Sequence, residues 1–197
     1  MLALAAEDGR TLVARNGRDF EPLVHAEVRL RKRAARRKLP AVATDDLTNA
    51  LDQAGVAYEL LEHAHTESAT AEADALGLSP ADVAKTLVLA TPGGYTRAVL
   101  AADCRIDLHK VRDLIGGGKK DVHLATEDAL ARDYPDFELG TVPPVGGARS
   151  DPVVVDSRLA ERSSVVLEAG SHEQSVRLSA ADLIRAADAQ VADICQD

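Results

Sequence analysis

Two neighbouring segments, VAKTLVLA at residues 83–90 and YTRAVLAA at residues 95–102, predict a pair of adjacent strands. Both are short runs of apolar and β-branched residues, and Pro92-Gly93-Gly94 between them predicts a hairpin turn. Alternate residues of a strand point to opposite faces of a sheet. Both faces of the first segment are largely apolar, so we expect this strand to be covered on both sides. Lys85 is the charged exception within it.

Short helices and strands alternate on either side of this hairpin, with capping residues and glycines marking their ends. The sequence predicts helices over 44–55, 67–77, 107–118, 126–134 and 179–194, and further strands over 56–61, 121–125, 153–156, 164–170 and 175–178. This order predicts a mixed α/β protein with a curled, barrel-like mixed sheet surrounded by helices. The sequence argues against a doubly wound dinucleotide fold, because Gly116–Gly118 follows a predicted helix and not a first strand, and so is no phosphate-binding fingerprint.

The charge is divided unevenly along the 197 residues. Residues 1–38 contain ten Lys/Arg and five Asp/Glu, which gives a net charge of +5. Residues 39–197 contain 13 Lys/Arg and 27 Asp/Glu, which gives a net charge of −14. A helix is predicted over 21–39, and it holds seven cations within residues 29–38. It is either a solvated helix or an arm that attracts RNA. We therefore divide the chain into an N-terminal extension, 1–43, and a main domain, 44–197.

Composition excludes several classes of protein. No apolar run reaches the ~20 residues that span a bilayer, so we expect no membrane association. The start, MLALAAEDGR, has no basic segment before its apolar run, and we expect no secretory signal. With two cysteines and no CxxC pair, the sequence predicts a cytoplasmic protein without a disulfide framework. We expect no cofactor or metal and no DNA partner.

Lys85 and a glycine- and proline-rich loop are the main candidates for chemistry. An ammonium in a covered strand costs several kcal/mol unless it is paired or opens onto a cavity. Lys85 therefore either lines a pocket for an anionic or carbonyl-bearing ligand, or reaches solvent or a carboxylate. The loop runs from Gly140 to Gly147, GTVPPVGG. It could present backbone N–H groups to a ligand, or could simply be a rigid connection.

The chain resembles the YbaK/prolyl-tRNA-synthetase editing-domain family. The similarity runs in order from about Thr44 to Ile194, through HAHTESATAEADALGLSPADVAKTLVLA, RAVLAADCRIDLHKVRDLIG, FELGTVPPVGG and VVVDSRLAERSSVVLEAGSHEQSVRLSAADL. The joint occurrence of VAKTLV, a Gly-x-x-x-Pro loop and a late AGS turn makes it fairly specific. The resemblance implies a barrel-like mixed sheet and hydrolysis of the ester between a mischarged amino acid and tRNA.

The same resemblance implies the site residues. Lys85 corresponds to the family's lysine and is expected to be catalytic. Substrate-binding residues are expected in the loop and in the AGSH turn, namely Gly140, Thr141, Val142, Pro143, Pro144, Gly170, Ser171 and His172. The implied partners are the 3′ end of aminoacyl-tRNA and an aminoacyl-tRNA synthetase. The competing interpretation is a non-catalytic module that binds an aminoacyl or nucleotide ligand beside a synthetase.

Overall fold

The computed structural model describes residues 42–197. The basic helix predicted over 21–39 lies outside these residues, and the division at residue 43 stays a prediction. Within this described part of the chain, eight strands form one mixed sheet. They are β1 (Tyr58–Glu62), β2 (Val83–Thr91), β3 (Gly94–Ala101), β4 (His123–Leu124), β5 (Val153–Asp156), β6 (Val165–Ser171), β7 (Gln174–Leu178) and β8 (Gln190–Ala192).

The order of the strands places the predicted hairpin at the centre of the sheet. Strands run β1-β7-β6-β2-β3-β5-β8, with β4 paired to β2 away from this path. The β2–β3 hairpin is antiparallel, from Ala84 opposite Ala101 to Thr91 opposite Gly94. Parallel pairing joins β2 to β6 and β3 to β5. The predicted mixed α/β fold is confirmed.

Most of the described helices begin and end close to the predicted bounds. They are α1 (Val42–Gln53), α2 (Ala69–Leu76), α3 (Leu108–Ile115), α4 (Glu127–Asp133), α5 (Ser157–Ala160) and α6 (Ala180–Ala186). Helix α5 has no counterpart among the predicted elements. Side chains of Ser68, Asp107 and Thr126 accept hydrogen bonds from backbone N–H groups in the first turns of α2, α3 and α4. Gly77 ends α2 in the left-handed conformation. No helix between residues 42 and 197 is long and apolar enough to cross a membrane.

The predicted closing helix over 179–194 is wrong in its second half. Helix α6 ends at Ala186, and Asp188 adopts a positive φ of 45° that interrupts helical geometry. Residues Gln190–Ala192 then form β8, which pairs in parallel with β5. A segment as short as Gln190–Ala192 shows no periodicity that distinguishes a strand from a helix. Its conformation is therefore set by pairing with β5.

Both faces of the central sheet are covered, as the sequence predicts. Ala84 and Leu167 pack into a cluster with α1 residues Leu47 and Leu51. On the opposite face, Val83 and Val166 form a cluster with other residues, among them Ala73 of α2. Within β2, Lys85, Thr86 and Leu87 are only partly buried and lie between two buried pairs, Val83–Ala84 and Val88–Leu89. The middle of β2 is therefore where the covering layers leave an opening.

Candidate active site

A cleft of about 550 Å³ opens where β2 and β6 separate. These strands pair only at Val83–Val166 and Ala84–Leu167. The next residues, Lys85 and Glu168, lie just beyond the fork, and both line the cleft. Its other walls come from residues 65–69, which lead into α2, from residues 139–142 and from His172. Four distant parts of the chain, β2 among them, thus meet at the cleft.

The Lys85 ammonium is held by two backbone carbonyls. Nζ donates to Ala102 O at 2.8 Å and to Cys104 O at 2.7 Å. An ammonium carries three N–H donors, so one remains for a ligand in the cleft. Burial lowers the pKa of Lys85, and the nearby Cys104 and Cys195 thiols and Asp103 partly oppose this effect. Strand β2 thus places the Lys85 side chain in the wall of the cleft, and the two carbonyls fix the position of its ammonium.

The loop that begins at Gly140 contributes two unused backbone donors. Thr141 N–H already donates to Glu138 O at 3.1 Å. Pro143 and Pro144 have no N–H. Gly140 and Val142 line the cleft, and their N–H groups make no hydrogen bond to any residue that the structure describes. The loop can therefore offer the N–H groups of Gly140 and Val142 to a ligand.

Arg97 anchors the same loop from inside the protein. Its side chain is 1% exposed. Nη1 donates to the carbonyls of Pro143 and Gly146 at 2.9 and 3.2 Å, and Nη2 donates to Arg149 O at 2.9 Å. Nε and Nη2 also donate to the Asp151 carboxylate at 3.3 and 3.2 Å. One guanidinium thus fixes the loop at several points with a single rigid group.

Glu168 and His172 form a pair on the wall of the cleft. His172 Nδ1 lies 3.1 Å from Glu168 Oε1, and His172 Nε2 lies 3.1 Å from Leu139 O. Burial lowers the pKa of His172, but the Glu168 carboxylate and the Leu139 carbonyl outweigh burial and raise the pKa overall. Burial raises the pKa of Glu168, which His172 partly opposes. With both of its ring nitrogens facing oxygen atoms, His172 is suited to the protonated form.

A second buried carboxylate lies on α2, one turn beyond the cleft residues Ser68 and Ala69. Glu72 Oε1 accepts a hydrogen bond from Ser175 Oγ at 2.5 Å, and His63 Nε2 lies 2.9 Å from the same hydroxyl. Glu72 Oε2 is buried without a partner among the described residues. Burial raises the pKa of Glu72 to about 7, although the Ser175 hydrogen bond opposes this effect.

The structure brings five of the nine predicted site residues together. Lys85, Gly140, Thr141, Val142 and His172 line the cleft. The other four do not line it. Pro143 supplies a carbonyl to Arg97, and Gly170 supplies one to the Glu138 N–H. Ser171 ends β6 opposite Gln174, and Pro144 follows in the anchored loop.

Sequence reasoning missed several cleft residues, among them Glu67, Glu168 and His65. Glu168 stands among the buried residues of β6, just as Lys85 stands within β2. The same signal, one charge in an apolar strand, would have found it. His65 gives no such signal, and its ring meets that of His172 edge-on at 5.1 Å between centroids. Within residues 42–197, no group of three His, Cys, Asp or Glu side chains could hold a metal ion.

The described residues thus form a mixed α/β domain with a polar cleft at the centre of its sheet. Residues 63–186, more than half of the chain, match the family described as the aminoacyl-tRNA editing domain, and the chain belongs to this family. The resemblance noted in the sequence is thereby confirmed. Membership supports a role in aminoacyl-tRNA editing and, at the general level, deacylase activity.

Two solved structures are similar over nearly their whole lengths. A crystal structure described as "a putative trans-editing enzyme for prolyl tRNA synthetase" is 26% identical, with a TM-score of 0.71, and the match covers 82% of this chain and 100% of that one. The hypothetical protein APE2540 is also 26% identical, with a TM-score of 0.70, over 76% of this chain and 99% of its own. The first of these relatives agrees with an editing role.

Proposed function

We propose that this chain is a trans-editing deacylase, which hydrolyses the ester between a small, mischarged amino acid and the 3′ end of tRNA. The observation that carries the proposal is the set of unused donors that line the cleft. Lys85 has one N–H beyond the two that bind described carbonyls, and the loop has two unused N–H groups, at Gly140 and Val142. Such donors suit a phosphate or a carbonyl oxygen that gains negative charge.

The proposed reaction needs no protein nucleophile. An aminoacyl ester is already activated, so orientation and charge stabilisation supply most of what hydrolysis requires. Lys85 contacts the terminal phosphate or the carbonyl region, and the loop N–H groups hold the amino acid and its carbonyl. Water adds to the carbonyl carbon, assisted by a hydroxyl or amine of the substrate. The ester C–O bond then breaks, and the tRNA oxygen takes up a proton.

Specificity for small amino acids is part of the proposal. Leu87, Leu139 and Val142 contribute apolar surface to the cleft. One methylene too many or too few in such a pocket changes discrimination by about 1–3 kcal/mol. The relative described as a trans-editing enzyme for prolyl tRNA synthetase makes tRNA for proline the first tRNA to test, and that synthetase the first partner.

The test is single-turnover deacylation of this tRNA charged with alanine, serine or cysteine. We expect hydrolysis of at least one substrate, and a loss of roughly 10²-fold in Lys85→Ala, the scale for removal of one positioned donor. Lys110→Ala is the matched control, since the Lys110 ammonium also binds a backbone carbonyl, that of Cys195, but lies outside the cleft. Its rate should be unchanged.

Two results would contradict the proposal in different ways. A folded Lys85→Ala protein with full activity would remove Lys85 from the mechanism. Absence of hydrolysis by the wild type, with tRNA still bound, would favour the non-catalytic binding module.

A further inference from the structure

The carboxylate of Glu168 is only partly used by the protein. Its side chain is 15% exposed, and Oε1 faces His172 Nδ1 at 3.1 Å. Oε2 accepts no hydrogen bond from residues 42–197. An ionised carboxylate has about four lone-pair sites, and a half-buried one is costly to leave unsatisfied. Glu168 therefore presents an acceptor to whatever enters the cleft.

Lys85 and Glu168 do not satisfy each other, although they follow directly from paired residues of neighbouring strands. The Lys85 ammonium binds the carbonyls of Ala102 and Cys104, and the Glu168 carboxylate faces His172. The cleft thus has a donor on one strand and an acceptor on the next. A complementary ligand carries an electronegative oxygen and, close to it, a cation.

The aminoacyl end of tRNA has this arrangement, because its α-ammonium is one carbon away from the ester carbonyl. The α-amino group of a peptide has a pKa of about 7.7–8.0, so the charged form is abundant near neutral pH. We propose, on the basis of the proposed function, that Glu168 binds the α-ammonium of the aminoacyl group and makes the enzyme selective for esters with a free amine.

His172 acts in this scheme as a positioning residue. Its ring bridges Glu168 Oε1 and Leu139 O, and its backbone N–H donates to Glu138 Oε2 at 2.8 Å. The carboxylate is thereby held at the side of the cleft where the residue 139–142 wall begins. Because His172 contacts Oε1, Oε2 of Glu168 stays available to accept a hydrogen bond from the ligand.

The test compares two esters of the same tRNA. One carries whichever of alanine, serine or cysteine the wild type hydrolyses fastest, and the other carries its α-hydroxy counterpart, which lacks the amine. Each rate is divided by the uncatalysed hydrolysis rate of that ester. We expect the wild type to prefer the aminoacyl ester by roughly 10- to 100-fold in kcat/KM, the range of one hydrogen bond to a charged group.

In Glu168→Gln the preference should fall below about threefold, because the aminoacyl rate drops while the hydroxyacyl rate is nearly unchanged. Glu173→Gln is the matched control, since Glu173 is an exposed carboxylate that follows His172 and does not line the cleft, and it should keep the preference. If Glu168→Gln does not fold, Glu168→Asp replaces it, with the same expectation of a reduced preference.

Equal losses for both esters in Glu168→Gln would overturn the inference and assign Glu168 a structural role. A wild type that hydrolyses both esters equally after normalisation would also overturn it, without affecting the proposed function. Failure of the wild type to hydrolyse any aminoacyl ester would overturn both.

Discussion

Arg97 and Asp151 form an ion pair inside the protein, with Nη2 3.2 Å from Oδ2 and side chains that are 1% and 5% exposed. The pair also connects the sheet to the candidate site, because the same guanidinium binds the carbonyls of Pro143 and Gly146. Tyr134 completes the arrangement by donating to Asp151 Oδ2 at 2.8 Å. The position of the site loop therefore depends on a charge that does not itself touch the cleft.

Replacing Arg97 should destabilise the whole domain. Arg97→Met leaves the Asp151 carboxylate and three carbonyls without their main donor, and breaking a buried pair in this way costs about 3–5 kcal/mol. The stability of Arg97→Lys should lie between those of the wild type and Arg97→Met, because an ammonium cannot reproduce the planar fork of the guanidinium. The free energy of unfolding in urea measures both effects. Arg149→Met is the control: Arg149 also pairs with Asp151, but is 39% exposed, and we expect a loss of at most about 1 kcal/mol.

Gly146 fixes the loop against α1. Its φ is +92°, and a Cβ at this position would lie 2.8 Å from Asp46 O. Gly146→Ala should therefore cost about 2–4 kcal/mol, from left-handed strain and from overpacking against backbone that cannot easily move. Gly93→Ala, where a Cβ has nothing within 4 Å, should stay within about 0.5 kcal/mol. Equal melting temperatures for the two variants would contradict this account.

Glu72 should make stability depend on pH in a defined window. Its pKa is about 7 in the folded protein against an ordinary value of 4.5, so the folded state binds a proton that the unfolded state has lost between these values. Stability is therefore lost as pH rises from about 4.5 to 7, and the full penalty above pH 7 is on the order of 3 kcal/mol.

Glu72→Gln tests this assignment, because glutamine keeps an acceptor for Ser175 but has no proton to lose. The variant should be more stable than the wild type above pH 7, and the difference should disappear below pH 4.5. Urea unfolding between pH 4 and pH 8 measures it. Glu62→Gln, at an exposed position of β1, should follow the wild-type pH dependence. A difference between Glu72→Gln and wild type that does not vary with pH would contradict the prediction.

The basic segment outside the described residues gives a prediction about binding. We expect replacement of the seven cations in residues 29–38 by glutamine to weaken tRNA binding and to flatten its dependence on salt, because fewer counterions are released. The rate of deacylation at saturating enzyme should not change. Binding measured at several salt concentrations tests this. An unchanged salt slope would show that the segment is a solvated helix and not an RNA-binding arm.

The sequence predicted the central hairpin and most elements because capping residues, glycines and alternating patterns act locally. It also singled out Lys85, since a charge inside an apolar strand demands an explanation. Arg97 and Glu168 have the same signal in β3 and β6, yet they were missed. Their partners could not be read from the sequence, because Arg97 meets Pro143 across 46 positions, and the fork of β2 and β6 exists only in the folded sheet.

The separation of β2 from β6 leaves part of one edge of β2 without a neighbouring strand. On one edge β2 pairs with β3 along almost its whole length. On the other edge it pairs with β6 through Val83 and Ala84 and with β4 through Leu89 and Ala90, so residues 85–88 have no strand partner on that edge within the described chain. An open strand edge at the rim of a sheet invites pairing with other chains and aggregation. This open edge is only four residues long and is enclosed by strands at both ends. The protein can therefore leave these main-chain polar groups open to the cleft without offering a pairing edge to a β-strand of another chain.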